Sequence, residues 1–313
     1  MATLNEVFSK LSVRRRYEVW FVRVGLADGS GAWWFRYLLM NPGRDGCAGN
    51  PHGKPVQVWA TWFPTGGKPQ SFIQGFSLEG LNLSRRRQSP FHLRIGGNDI
   101  DEDSCRGALE VDGHTISWNL NYRSTFRVTL SDKGWIGFSR TPHSDAVFSG
   151  QVTLDRRSFT GDPLGFGVQG HNCGYRHRNF WTWAHAYFPR AGRSATTLEA
   201  LVYEMPLGLV FRKAVLLHDG QQHVFRRMDE AGSDRNNLRW KFRCAARNGV
   251  RLEAAVDGGG SSLHCLPYIK TDCSGSFEVR NNSLASASIV LMSADGVPET
   301  METTTGAVLE MVG

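Results

Sequence analysis

Short apolar runs rich in aromatic and β-branched residues alternate along this chain with breaks made of Gly, Pro, Asp and Asn. That pattern predicts antiparallel strands joined by tight turns. Residues 17–24 (YEVWFVRV), 32–40 (AWWFRYLLM), 56–63 (VQVWATWF) and 71–78 (SFIQGFSL) open the series. In residues 114–120, Ile116, Trp118 and Leu120 alternate with Thr115, Ser117 and Asn119, so one face is apolar and the other polar. Asp112-Gly113 just before them predicts a two-residue hairpin turn back to 108–111. In the second half, residues 198–205, 207–217, 221–227, 238–245, 250–256, 276–281, 286–292 and 307–312 read as strands, with hairpin turns at His218-Asp219-Gly220 and Arg247-Asn248-Gly249. Only residues 4–11 predict a helix. An all-β chain with so many successive antiparallel strands avoids exposed edges by closing into barrels. The expected fold is two lipocalin-like (calycin) antiparallel β-barrels in tandem, over residues 1–160 and 161–313, meeting where residues 155–164 interrupt the pattern.

The 313 residues carry 36 Lys and Arg against 29 Asp and Glu, a formal charge of +7. Arg14–Arg16 and Arg85–Arg87 are the densest basic clusters, but the other arginines are spread along the chain. A nucleic-acid surface needs basic groups tracking one face, so a solvated basic surface is expected and no nucleic-acid partner. The six cysteines form no Cys-x-x-Cys pair, and no apolar run approaches the roughly 18 residues of a membrane helix. Reduced thiols, a cytoplasmic location and no stable membrane insertion are the corresponding expectations.

Residues 165–188 (GFGVQGHNCGYRHRNFWTWAHAYF) concentrate the polar chemistry. Gly165-x-Gly-x-x-Gly170 matches a dinucleotide fingerprint by letters, but an aromatic strand follows it where that motif requires a helix. His171, His177 and His185 do not have metal-ligand spacing, so no metal is expected. No Gly-x-Ser-x-Gly elbow or phosphate loop occurs. His171 and Asn172 are expected on a tight, glycine-flanked loop, where His171 either transfers protons or orders the loop through a backbone carbonyl. Alternation separates Arg176 and Arg178 from Tyr175 and His177, and one pair faces solvent. Trp181, Trp183, His185 and Tyr187 share a strand face and form either a pocket wall or ordinary core. Glu18 shares a face with Trp20, Val22 and Val24, which makes it a buried acid or a partner for Arg36 on the next strand. Glu204 is a similar candidate in the second half, Trp34 is a further wall residue, and Cys173 is a possible nucleophile.

The Tyr17-Glu-Val-Trp-Phe21 opening, with Gly165-x-Gly-x-x-Gly-His-Asn-Cys-Gly174 followed by Phe180-Trp-Thr-Trp183, resembles the lipocalin-like carotenoid hydratase and AttH family, to which tocopherol cyclase-like and lipocalin-like pericyclase proteins are related. The resemblance implies two barrels with a ligand pocket at or near their interface. It also implies cofactor-free protonation, hydration or cyclisation of an apolar polyene, prenyl or polyketide-like molecule. His171, with Tyr175 or Glu18, would then move the proton. Asn172, Arg176, His177, Trp181, Trp183, His185, Tyr187, Trp20, Trp34 and Glu204 would hold the substrate. The chain departs from the hydratase pattern twice, with Gly170 where that pattern has Asp before the His and Cys173 where it has Trp after the Asn. The alternative expectation is a carrier for a hydrophobic metabolite, using the same barrels without chemistry.

Overall fold

The aromatic runs pair in sequence order. A computed structural model describes residues 4–8, 16–41, 54–83, 90–272, 274–293 and 296–313. Among these residues, 22 strands form two antiparallel sheets. The first half supplies β1 (Tyr17–Leu26), β2 (Gly31–Met40), β3 (Val56–Pro64), β4 (Gln70–Phe76), β5 (Leu81–Leu83) and β6 (His92–Ile95). It continues with β7 (Asn98–Asp101), β8 (Ser104–Val111), β9 (His114–Arg123), β10 (Val128–Asp132), β11 (Gly137–Leu154) and β12 (Arg157–Gly174). Their order is β4-β3-β2-β1-β12-β11-β9-β8-β7-β6-β5, with β10 added to β11. The second sheet contains β13 (Trp181–Phe188), β14 (Thr196–Glu204), β15 (Val210–His218), β16 (Gln221–Phe225) and β17 (Arg227–Asp234). It is completed by β18 (Arg239–Ala245), β19 (Arg251–Asp257), β20 (His264–Ile269), β21 (Ser276–Met292) and β22 (Pro298–Val312), in the order β16-β15-β14-β13-β22-β21-β19-β18-β17, with β20 on β21.

Each sheet coils around its own core. In the first, Phe72 of β4 meets His114 of β9 edge to face at 5.4 Å. In the second, Arg212 of β15 pairs with Glu230 of β17 at 3.5 Å. Trp20, Val22, Val24, Trp33, Phe35 and Tyr37 fill the first interior; Phe188, Leu216, Trp240 and Phe242 help fill the second. A third apolar cluster draws on both sheets, with Phe21, Trp34 and Trp59 from one and Trp183, Leu201, Tyr203 and Tyr268 from the other. Thus β1 and β2 bury both faces, one in a barrel and one between barrels, which is why their sequences do not alternate cleanly.

The predicted hairpins form, with positive φ at Asp112 (53°), Gly113 (80°), Asp219 (46°) and Gly220 (72°), as the tight turns require. Three expectations change. First, residues 161–174, expected to open the second barrel on a loop, are hydrogen-bonded into the first sheet as the C-terminal part of β12. Second, 276–281 and 286–292 are one strand, and 207–209 precede β15 rather than opening it.

Third, Leu4 and Asn5 form a turn and residues 6–8 are not helical. In a helix Phe8 N–H would bond to Leu4 O. Here Phe8 N donates to Glu18 Oε1 (2.7 Å), and Leu4 O accepts from His171 Nδ1 (2.8 Å). Residues 9–11 of that expected helix, Arg14, Arg15, Arg85–Arg87, Cys47 and Cys273 lie outside the described residues.

Candidate active site between the two barrels

Strand parity creates the site. On β1 the even positions Glu18, Trp20 and Val22 turn into the first barrel, so Tyr17, Val19 and Phe21 turn towards the second sheet. The same rule sends Trp34 and Arg36 outward from β2, Asn172 from β12, and Trp181 and Trp183 from β13. These side chains, with Tyr203, Tyr268 and Glu310 of the second sheet, line a cavity of about 330 Å³.

Among the described residues, Glu310 is the carboxyl that lines this cavity. Trp181 Nε1 donates to its Oε1 at 2.9 Å, and the Tyr268 hydroxyl and Asn281 Nδ2 approach Oε2 at 3.3 and 3.5 Å. Burial raises its pKa above the ordinary value, against the opposing pull of Arg36. A raised carboxyl holds or takes a proton closer to neutrality, as acid–base work requires. His177 is driven the other way, to about 3, by burial and by the Arg36 charge, so its imidazole is neutral. It stacks on Tyr17 at 4.1 Å. Burial pushes the Tyr17 and Tyr268 phenols well up, so both remain hydroxyl donors. Three buried polar atoms of the lining have no hydrogen-bond partner: Arg36 Nη1, Asn172 Oδ1 and His177 Nδ1. Such atoms are costly unless something bonds to them.

Of the residues singled out from sequence, Asn172, Tyr175, Arg176, His177, Trp181, Trp183 and Trp34 line this cavity, whereas Glu18, Trp20, His171, His185, Tyr187 and Glu204 do not. The expectation that Glu18 pairs with Arg36 is corrected by register. Glu18 lies opposite Leu39 while Arg36 lies opposite Phe21, so the two charges leave opposite faces of the sheet. Glu18 Oε1 instead meets His171 Nε2 at 2.8 Å inside the first barrel, both side chains fully buried, with the His171 ring stacked on Trp20 at 4.4 Å. That pair anchors residues 4–8. Trp20 Nε1 also donates to Asn5 O, and the Asn5 and Gln169 amides bond reciprocally. Cys173 lines the cavity, but burial pushes its thiol up, away from the reactive thiolate. Among the described residues no three His, Cys, Asp or Glu side chains gather as a metal site requires.

The glycine motif has a structural explanation. A Cβ at Gly165 or Gly167 would strike the backbone oxygen of Gly25 or Arg23, and one at Gly170 would strike the Phe21 ring. The glycines therefore let β1 crowd against β12, and Phe21 occupies the space an Asp at position 170 would need.

Two positions along β13 and β14 from the Trp183–Leu201 pair lies a second buried polar group. His185 and Glu199 face each other across β13 and β14. Glu199 Oε2 accepts from Thr141 Oγ1 at 2.7 Å, and His185 Nε2 donates to Ser144 O at 2.7 Å. Burial lifts Glu199 to about 7 and lowers His185 to about 3.

Sequence reasoning missed Glu310, Tyr203 and Tyr268 and considered Arg36 only as a partner for Glu18. The available signal was a lone charge within an otherwise apolar strand, as in GAWWFRYLLM and AVLEMV.

Comparison with solved structures identifies the architecture. The chain superimposes on CghA with a TM-score of 0.62 at 11% identity, covering 95% of this chain and 88% of that one. Kievitone hydratase from Nectria haematococca gives 0.55 at 9% identity over 99% and 95%. A protein assigned as AttH from Nitrosomonas europaea gives 0.52 at 11% over 95% and 92%. No protein-family model and no curated protein sequence matches the chain. The tandem-barrel fold implied by the sequence motifs is thus the fold the chain has.

Proposed function

We propose that this protein is an enzyme of the hydratase or cyclase type that protonates an apolar small molecule held between its barrels. The observation that carries this reading is a buried carboxyl of raised pKa, Glu310, in an aromatic cavity with three unpartnered polar atoms. The hydratase name of one structural neighbour supports the same class. In this reading Glu310 delivers a proton to an alkene or oxygen of the substrate, and its carboxylate takes one back when the product forms. Trp181 Nε1–H and the Tyr268 hydroxyl hold the carboxylate between those events. The faces of Trp34, Trp181 and Trp183 stabilise cationic character, each by roughly 0.5–2 kcal/mol. The neutral His177 ring and the Tyr17 hydroxyl orient the substrate's polar end. His171 and Glu18 have a structural role.

The test is incubation of the protein with an extract of apolar metabolites from its source organism in ¹⁸O-labelled water, followed by mass spectrometry. A compound that gains labelled water indicates hydration. An isomer of unchanged mass and altered retention indicates cyclisation. Retention of an unaltered compound would instead identify a carrier and remove the catalytic reading.

A further inference from the structure

The charge pattern of the cavity specifies one more property of its ligand, an inference that rests on reading this cavity as the substrate site. Arg36 is only 6% exposed. Its guanidinium lies 4.2 Å from the Tyr268 ring centre, 4.6 Å from that of Trp59 and 5.5 Å from that of Trp34. These aromatic contacts hold the cation, yet Nη1 is buried without a hydrogen-bond partner. Among the described residues no carboxylate forms an ion pair with it. Glu310, the carboxyl whose charge it feels, gives its oxygens to Trp181, Tyr268 and Asn281.

Buried arginines are ordinarily paired, because an uncompensated charge in a poorly solvated site is costly. Arg23, also buried between the sheets, satisfies this rule with backbone carbonyls. Arg36 lines the cavity with no such carbonyl partners: the Tyr268 hydroxyl is within its reach, and Nη1 stays open. The remaining charges agree: Lys133, Arg176 and Arg178 also line the cavity, against the single carboxyl of Glu310 among the described residues. The unpartnered Asn172 Oδ1 is an acceptor open to a donor from a ligand.

We infer that the substrate is an apolar molecule ending in an anionic oxygen on a planar carbon, a carboxylate or an enolate, that pairs with Arg36. A polar hydrogen near that end bonds to Asn172 Oδ1. Arg36 thereby fixes which end of the molecule enters and which bond faces Glu310. A guanidinium suits this task because its planar fork matches a planar anion.

The experiment compares two probes of one shape and different charge, naphthalene-2-carboxylate and naphthalene-2-carboxamide, by calorimetric titration of the whole protein at pH 7.5. The carboxylate should bind at least tenfold more tightly. Arg36→Met should erase that preference while leaving the carboxamide affinity within about threefold, and Arg36→Lys should keep part of it. The wild-type comparison stands even if a variant fails to fold. Equal binding of the two probes would overturn the anionic-end inference and leave the cavity reading intact. Binding of neither would overturn both.

Discussion

Arg23, on the first strand of one barrel, reaches the carbonyl of Ser283 in the other, with Nη2 at 2.5 Å and Nε at 3.1 Å from the same oxygen. Nη2 also bonds to Thr305 O at 2.7 Å. One cation thus joins β1 to β21 and β22, strands of the other sheet 260 and 282 positions further along the chain at the bonded residues. Burial lowers its pKa to about 10, which leaves it charged at neutral pH.

Arg23→Met should therefore destabilise the protein by about 3 kcal/mol, since the buried carbonyl of Ser283 and the half-buried one of Thr305 lose charged donors. Urea denaturation measures it. Because the arginine spans both barrels, the variant should also separate the unfolding of the two sheets into distinct transitions. A single, unshifted transition would contradict this role.

The Glu18–His171 pair predicts a loss of stability. Removing the imidazole in His171→Ala takes one partner from the buried Glu18 carboxyl, which keeps Phe8 N, and frees Leu4 O, at a cost of roughly 3–5 kcal/mol. Amide hydrogen exchange of residues 4–8 should rise sharply in the variant. Turnover per folded molecule should stay within about fivefold of wild type. A folded, normally protected variant without activity would return His171 to the mechanism.

Glu199 predicts a pH dependence whose sign follows from its environment. Its folded-state pKa of about 7 exceeds the ordinary 4.5, so between those values the folded chain binds the proton that the unfolded chain releases. Stability from this group is present below that window and is lost as pH rises through it. His185 and His177, lowered to about 3, act in the opposite direction between 3 and their ordinary 6.5, and Lys213 tempers the effect by favouring ionised Glu199. Comparison with Glu199→Gln isolates the carboxyl. Stability of the variant relative to wild type should increase by up to about 3 kcal/mol from pH 4 to pH 8. Parallel stability curves would show that Glu199 titrates normally.

Gly170 and Phe21 predict a packing effect. Gly170→Ala puts a Cβ into the Phe21 ring, which packs edge-on against Trp183 at 5.4 Å. Displacing that ring should cost about 1–3 kcal/mol and weaken apolar ligands of the cavity at least fivefold. A paired Phe21→Leu substitution should restore much of both.

The fold was legible because aromatic strands and two-residue turns are local signals, and Asp112-Gly113 and Asp219-Gly220 determine their hairpins almost by themselves. The site was only partly legible. Trp181, Trp183 and His177 were found because they cluster in sequence. Arg36 and Glu310 are 274 positions apart and meet only through the packing of two sheets. His171 was misleading because its polar neighbours suggested chemistry, while parity turned its ring into the first barrel. Parity within β12 could not be assigned while residues 165–174 were expected to form a loop. The two-sided burial of β1 and β2 likewise concealed which of their faces belonged to the cavity.

In the proposed mechanism Glu310 moves the proton. The most direct measurement is turnover by Glu310→Gln, beside wild type, on the compound that the labelled-water experiment identifies. The amide keeps the shape and an acceptor for Trp181 Nε1 but carries no acidic proton, so the rate should fall at least about hundredfold with ligand affinity little changed. Retention of more than a tenth of wild-type turnover by the folded variant would remove Glu310 from the proton transfer.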